Sequence, residues 1–124
     1  MIWRVELPMH PKSLNRLLRD NRWVRKNYRT DVAIMLLANA PSKTRIEGPV
    51  RVHYTEYYAR QPKDLTNLAG AFKVIEDQIV RLGVLEDDNP KTVVDIKYAQ
   101  HKVAKVSMQR VVIEIEQVNQ QEQK

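Results

Sequence analysis

The sequence predicts a single α+β domain: a small four-stranded sheet, mixed or antiparallel, with two helices, in the order β-α-β-α-β-β. Three observations lead there. One stretch of about 20 residues repeats its apolar positions at helical steps, four short stretches alternate at period two, and no internal repeat or long linker divides the 124 residues. A chain of that length favours one modest core. The domain is expected to span 1–118. Residues 119–124 carry no apolar side chain and read as a disordered, frayed tail.

The first strand is Ile2 to Leu7, where Ile2, Arg4 and Glu6 alternate with Trp3, Val5 and Leu7, and Pro8 and Pro11 end it. Lys12 to Asn27 has no clean period and reads as a loop holding at most a helical turn. Tyr28 to Asn39, with Val32, Ile34, Met35, Leu36 and Leu37, reads as a short helix that starts near Thr30 or Asp31 and stops before Pro41. Ala40 to Gly48 is a connection. Val50, Val52 and Tyr54 mark the second strand, which runs to Tyr57 or Tyr58, with Arg51, His53 and Thr55 on its other face.

The strongest helix follows. Leu65, Leu68, Phe72, Ile75, Ile79 and Leu82 form one apolar stripe, opposite Thr66, Gly70, Lys73 and Asp77. Asp64 or Thr66 can cap its start, and Gly83 suits the residue past its end. Asn89-Pro90 marks a turn. Thr92 to Tyr98 reads as the third strand, with Val93, Asp95 and Lys97 opposite Val94, Ile96 and Tyr98. Gln100 to Ser107 reads as a basic turn, and Gln109 to Gln117 as the fourth strand.

Composition narrows the chemistry. With no cysteine, disulfides, thiolate metal sites and cysteine nucleophiles are excluded. Three glycines leave no phosphate-binding or dinucleotide loop. His10, His53 and His101 lack metal-site spacing and read as incidental, and neither Ser13 nor Ser42 has an identifiable base. No apolar run suggests a signal peptide or a span of roughly 20 residues, so a cytoplasmic protein with no membrane partner is expected. Residues 1–63 hold 13 Lys/Arg against 5 Asp/Glu, a net of +8, whereas 64–124 hold 8 against 10. The excess peaks at Lys12, Arg16, Arg19, Arg22, Arg25, Lys26 and Arg29, with Asp20 the one acid among them. A polyanion partner fits that pattern, and so does a merely solvated surface.

Acids bracket the strong helix: Asp64 at its head and Glu86, Asp87 and Asp88 after its tail. Carboxylates suit Mg²⁺ or Mn²⁺, which in phosphodiester cleavage polarise the phosphate and activate water. A helix of 20 residues is about 30 Å long, so Asp64 and Asp88 meet only if a dimer partner closes the site or the loop after Leu85 bends back along the helix. Taken singly, Asp64 also reads as a helix cap, the acidic run as an ordinary turn, and Lys73 with Asp77 as a surface ion pair.

Three segments in order resemble the RusA family of Holliday-junction resolvases, in particular its phage-type members: P-K-S-L-N-R-L-L-R-D-N-R at Pro11–Arg22, D-L-T-N at Asp64–Asn67 followed by Lys73 and Asp77, and G-V-L-E-D-D at Gly83–Asp88. The resemblance implies a homodimeric, Mg²⁺-dependent endodeoxyribonuclease that makes paired nicks in a four-way DNA junction during recombination or repair, in a bacterium or its phage. It implies catalytic roles for Asp64, Asp88 and Lys73, and metal binding by Asp64, Asp87 and Asp88. Asp77 would be a supporting acid. DNA contacts would come from Asn15, Arg16, Arg19, Arg22, Lys26, Asn67 and Lys73. Thr66 stands where the family pattern has its second acid, which removes a carboxylate from the site. Either the remaining acids suffice, or the chain is a weakened or non-cleaving protein that binds branched DNA.

Overall fold

The computed structural model describes residues 2–41, 45–87 and 89–118. The elements are β1 (Ile2–Leu7), α1 (Leu14–Arg19), α2 (Arg22–Asn39), β2 (Val50–Tyr58), α3 (Leu65–Arg81), β3 (Val93–Lys102) and β4 (Arg110–Gln117), with one 3₁₀ turn at Val106–Met108. The α+β class holds, and the sheet is mixed, in the order β1-β4-β2-β3. β4 runs antiparallel to both β1 and β2, while β2 and β3 are parallel.

The expected order needs correction. There are three helices, and the element order is β-α-α-β-α-β-β. The segment read as a loop contains all of α1 and the start of α2. Each helix carries its own cap: the Ser13 hydroxyl accepts from the Arg16 N–H at 3.2 Å, and Asn21 Oδ1 accepts from the Val24 N–H at 2.9 Å. The first six residues of α2 are all exposed, so no apolar period marks them. β3 also runs four residues beyond Tyr98, into the stretch read as a turn, with Ala99–Lys102 pairing to Thr55–Tyr58. Its expected alternation breaks at Val94. Val50 pairs with Val93 but Arg51 with Asp95, and this extra residue lets Val93, Ile96 and Tyr98 all reach the core. The tail expected at 119–124 lies outside the described residues.

One face of the sheet is covered by α2, through Val32 and Leu36, and by α3, through Leu68, Phe72, Ile75 and Ile79; these meet Trp3, Val5, Leu7, Val52, Tyr54, Ile113 and Ile115. Four residues of the α3 stripe are buried as expected, but Leu65, the first helical residue, is 72% exposed and lies outside the core. Gly83 ends α3 with φ of +80°, the left-handed region where a side chain is disfavoured. Gly70 has a different role. A Cβ there would stand 2.6 Å from Leu14 Cβ, so this glycine lets α1 sit directly against α3. Among the described residues, no helix is long and apolar enough to cross a membrane.

The β2–α3–β3 crossover controls where the acids go. α3 starts just past the C-terminal end of β2 and ends before the N-terminal end of the parallel β3. Its two ends therefore lie at opposite ends of the sheet.

Candidate nucleic-acid interface

An open groove of about 710 Å³ runs between the α1 segment and the start of α3. Two of the segments singled out in the sequence meet there. Asn15, Arg16 and Arg19 come from α1, and Asp64 and Asn67 from the head of α3. A hydrogen-bond chain joins them. The Asn15 N–H donates to Asn67 Oδ1 at 3.0 Å, and Asn67 donates from its backbone N–H to Asp64 Oδ1 at 2.8 Å and from its Nδ2 to Asp64 Oδ2 at 3.1 Å. Asp64 is thus the helix cap, as the sequence suggested, and its carboxylate is oriented at the groove with lone pairs to spare.

The basic side chains are held as well as present. Lys12 Nζ donates to Asp20 Oδ2 at 2.7 Å, and Arg16 reaches Asp20 Oδ1 at 3.5 Å. The hydrogen bond from Lys12 keeps the Asp20 carboxyl below the usual carboxylate range. The Lys12 N–H donates to the Tyr28 hydroxyl at 3.0 Å, which ties the α1 segment to α2.

Lys63 and His10 also line the groove, and the sequence had not marked either as functional. Lys63 Nζ donates to Glu56 Oε2, and the Tyr54 hydroxyl donates to Glu56 Oε1 at 2.9 Å. Glu56 is fully buried and the Lys63 side chain is 8% exposed, so this is an ion pair inside the protein at the groove wall. Gln100, on β3, brackets the Lys63 backbone, its Oε1 accepting from the N–H at 3.0 Å and its Nε2 donating to the carbonyl at 2.6 Å. Burial and the Glu56 carboxylate together push the Tyr54 hydroxyl well above its ordinary pKa, so it remains a donor. Burial and then the Lys63 charge lower the His10 pKa, against a smaller opposing pull from Glu56.

The remaining candidates lie elsewhere. Arg22 and Lys26 are exposed on the first turns of α2, just past the groove. Thr66 is exposed on the first turn of α3. Lys73 is nine residues beyond Asp64, about 13 Å along the helix, where its Nζ lies 3.2 Å from Asp77 Oδ1 and 3.6 Å from Glu76 Oε1. Asp87 is beyond the far end of α3, a helix of 17 residues and so about 25 Å long. It accepts from Asn89 Nδ2 at 2.9 Å and lines a separate depression with Glu86 and Lys91. Asp88 lies outside the described residues.

Among the described residues, no three His, Cys, Asp or Glu side chains come close enough to hold a metal together. In one chain the groove therefore offers a single described carboxylate, Asp64. That is compatible with Mg²⁺, which keeps several waters and often takes one or two carboxylates together with substrate phosphates. No family model matches the chain, and no curated protein matches it.

Proposed function

We propose that the chain is a RusA-type, Mg²⁺-dependent endonuclease that acts as a homodimer on four-way DNA junctions in the bacterial cytoplasm, as a host or phage protein. The observation that supports this reading is the Asn15–Asn67–Asp64 chain of hydrogen bonds. It joins the basic opening segment to the acidic helix head in one groove, although 52 residues separate Asn15 from Asn67.

The groove residues divide the work by charge. Lys12, Arg16 and Arg19 meet backbone phosphates, whose neutralisation releases counterions and gives affinity. Lys63, oriented by Glu56 and Gln100, is placed to stabilise negative charge near the reacting phosphate. Asp64 would hold the Mg²⁺, which supplies an activated water and neutralises charge on the phosphate when bound. Asp87 would complete the site only from a second copy, since it lies beyond the far end of α3, about 25 Å of helix away from Asp64. A two-fold pair of chains also offers two equivalent cutting sites to a junction that is itself nearly two-fold. Lys73, outside the groove, would meet a more distant phosphate or the partner's bound strand.

A second reading, binding of branched DNA without cleavage, is favoured by Thr66 in place of an acid. The deciding experiment incubates the chain with a labelled synthetic four-way junction, with and without Mg²⁺. Paired nicks that need both Mg²⁺ and Asp64 support the nuclease. Junction-selective binding with no nicks in Mg²⁺ or Mn²⁺ supports the second reading.

A further inference from the structure

The first turns of α2 present an aromatic face that the groove does not use. Trp23 is 67% exposed, whereas the chain's other tryptophan, Trp3, is 4% exposed within the core. Lys26 Nζ lies 5.6 Å from the centroid of the Trp23 ring. Arg22, Arg25, Lys26 and Arg29 are all exposed, and among the described residues none of them forms an ion pair. No acid occurs between Asp20 and Asp31.

These facts constrain what could cover the ring. An exposed indole gains most from a flat apolar partner, and four cations without counter-charges call for an anion. An unpaired nucleotide offers both in one molecule, a base face to stack and phosphates beside it. Duplex DNA offers only the phosphates, because its base faces are already covered by their neighbours. A second copy of the chain is the other candidate, since Ile34 and Leu37 are also exposed on α2. Pairing two such faces would set cations against cations around Trp23 with Asp31 as the one acid of each helix to offset them, and like charges facing each other oppose association.

We propose that Trp23 is a stacking platform for an unpaired base, flanked by Arg22 and Lys26 as phosphate contacts. Arg19 lines the groove and Trp23 follows four residues later, at most about 14 Å away along the chain. A strand leaving the groove past Arg19 therefore meets the ring within a few nucleotides. The inference rests on the groove being a nucleic-acid site, and it adds a preference for strands whose bases are open.

The test uses the full chain with three probes at low salt: a 12-nucleotide oligo-dT, a duplex of equal length, and a four-way junction. Indole fluorescence is followed for the wild type, Trp23→Ala and Trp23→Phe, and light scattering gives the oligomeric state of each. Oligo-dT should quench the wild type strongly and Trp23→Phe hardly at all, because Trp3 is buried. Trp23→Ala should lose about tenfold in oligo-dT affinity, with Trp23→Phe between it and the wild type and duplex affinity changed less than twofold. Equal oligo-dT affinity in wild type and Trp23→Ala, with no quenching, would overturn the proposal while leaving junction nicking to stand or fall separately. A change of oligomeric state in Trp23→Ala with unchanged oligo-dT binding would overturn it in favour of a second copy. Quenching and selective loss in a chain that cuts no junction would uphold the stacking site and count against the nuclease alone.

Discussion

Asn67 joins Asn15 to Asp64 through one side-chain amide, accepting from the Asn15 backbone N–H at 3.0 Å and donating to Asp64 Oδ2 at 3.1 Å. This fixes which way the amide faces, since its oxygen must meet Asn15 and its nitrogen must meet Asp64. Asn67→Ala removes both contacts. The groups left behind are exposed to water, so the cost in stability should be about 0.5–1.5 kcal/mol. Asp64 loses its lateral tether, and nicking should fall much further than stability. Urea unfolding and junction nicking on the same preparation separate the two effects, and equal losses would mean that Asn67 is structural only.

Gly70 allows the same two helices to touch. Alanine would improve helix propensity by about 1 kcal/mol, but its Cβ would stand 2.6 Å from Leu14 Cβ. Relieving such an overlap typically costs about 1–3 kcal/mol, so the steric term wins or breaks even, and α1 has to move. DNA affinity should drop in Gly70→Ala because Asn15 and Arg16 move with Leu14. The offending atom is a Cβ, so Leu14→Ala cannot relieve the clash and Leu14→Gly can. Electrophoretic mobility shifts showing rescue by Leu14→Ala as good as by Leu14→Gly would contradict this.

The sequence revealed some parts of this arrangement and hid others for physical reasons. The α3 stripe, the Asp64 cap and Gly83 were legible because burial and backbone geometry restrict which residues can stand there. The start of α2 was hidden because a solvated helix needs no apolar period, and only the cap at Asn21 announces it, as Ser13 announces α1. Glu56 was half legible: the alternation that turns Val50, Val52 and Tyr54 inward turns Glu56 inward too. Its partner was not, since a lysine after a proline and before an aspartate carries no mark of burial. The helix length already set Asp64 and the acidic turn apart, but that the loop after Leu85 carries Asp87 away rather than back depends on β2 and β3 being parallel, a long-range pairing that no local pattern encodes.

Breaking the Glu56–Lys63 pair should be among the most damaging single changes. Glu56→Gln leaves an ammonium facing a neutral amide, and Lys63→Met leaves a carboxylate in the core with Tyr54 as its one remaining described partner. Loss of one member of a buried pair costs about 3–5 kcal/mol, a large share of a typical domain stability of about 5–15 kcal/mol. The double variant Glu56→Gln/Lys63→Met should recover much of that loss, because neither charge then remains. Urea midpoints for the three variants form the cycle, and additive losses would show that the pair is not coupled.

The His10 shift gives a sign for acid sensitivity. Its folded pKa lies below the ordinary 6.5, so as pH falls the unfolded chain takes up the proton first. The contribution is present above the unfolded pKa and declines as pH drops below it. Wild-type stability should therefore fall between pH 7.5 and 5.5, with a shallow slope because the imidazole is partly solvated, and His10→Gln should flatten that slope. Urea midpoints across this range decide it, and identical slopes in the two proteins would mean that other groups set the acid response.

Asp64→Asn separates the cap from the chemistry. Asparagine caps a helix about as well as aspartate, so the Asn67 N–H keeps an acceptor. The second oxygen, however, becomes an NH₂ facing Asn67 Nδ2, which cannot turn round without losing Asn15. The expected stability loss is about 1 kcal/mol, while Mg²⁺-dependent nicking should vanish because the groove's described carboxylate is gone. Junction binding should hold or rise slightly, since one negative charge leaves a basic groove. Lys73→Ala makes a useful contrast: about 13 Å from Asp64, it should slow nicking far less than Lys63→Met does, even after correction for folded protein. Thr66→Asp tests the missing acid, adding a carboxylate two residues from Asp64 at a helix head where negative charge is favourable. Nicking or Mg²⁺ affinity should rise. If Asp64→Asn cuts junctions as fast as the wild type, Asp64 is a cap and no more, and the groove is left as a binding surface.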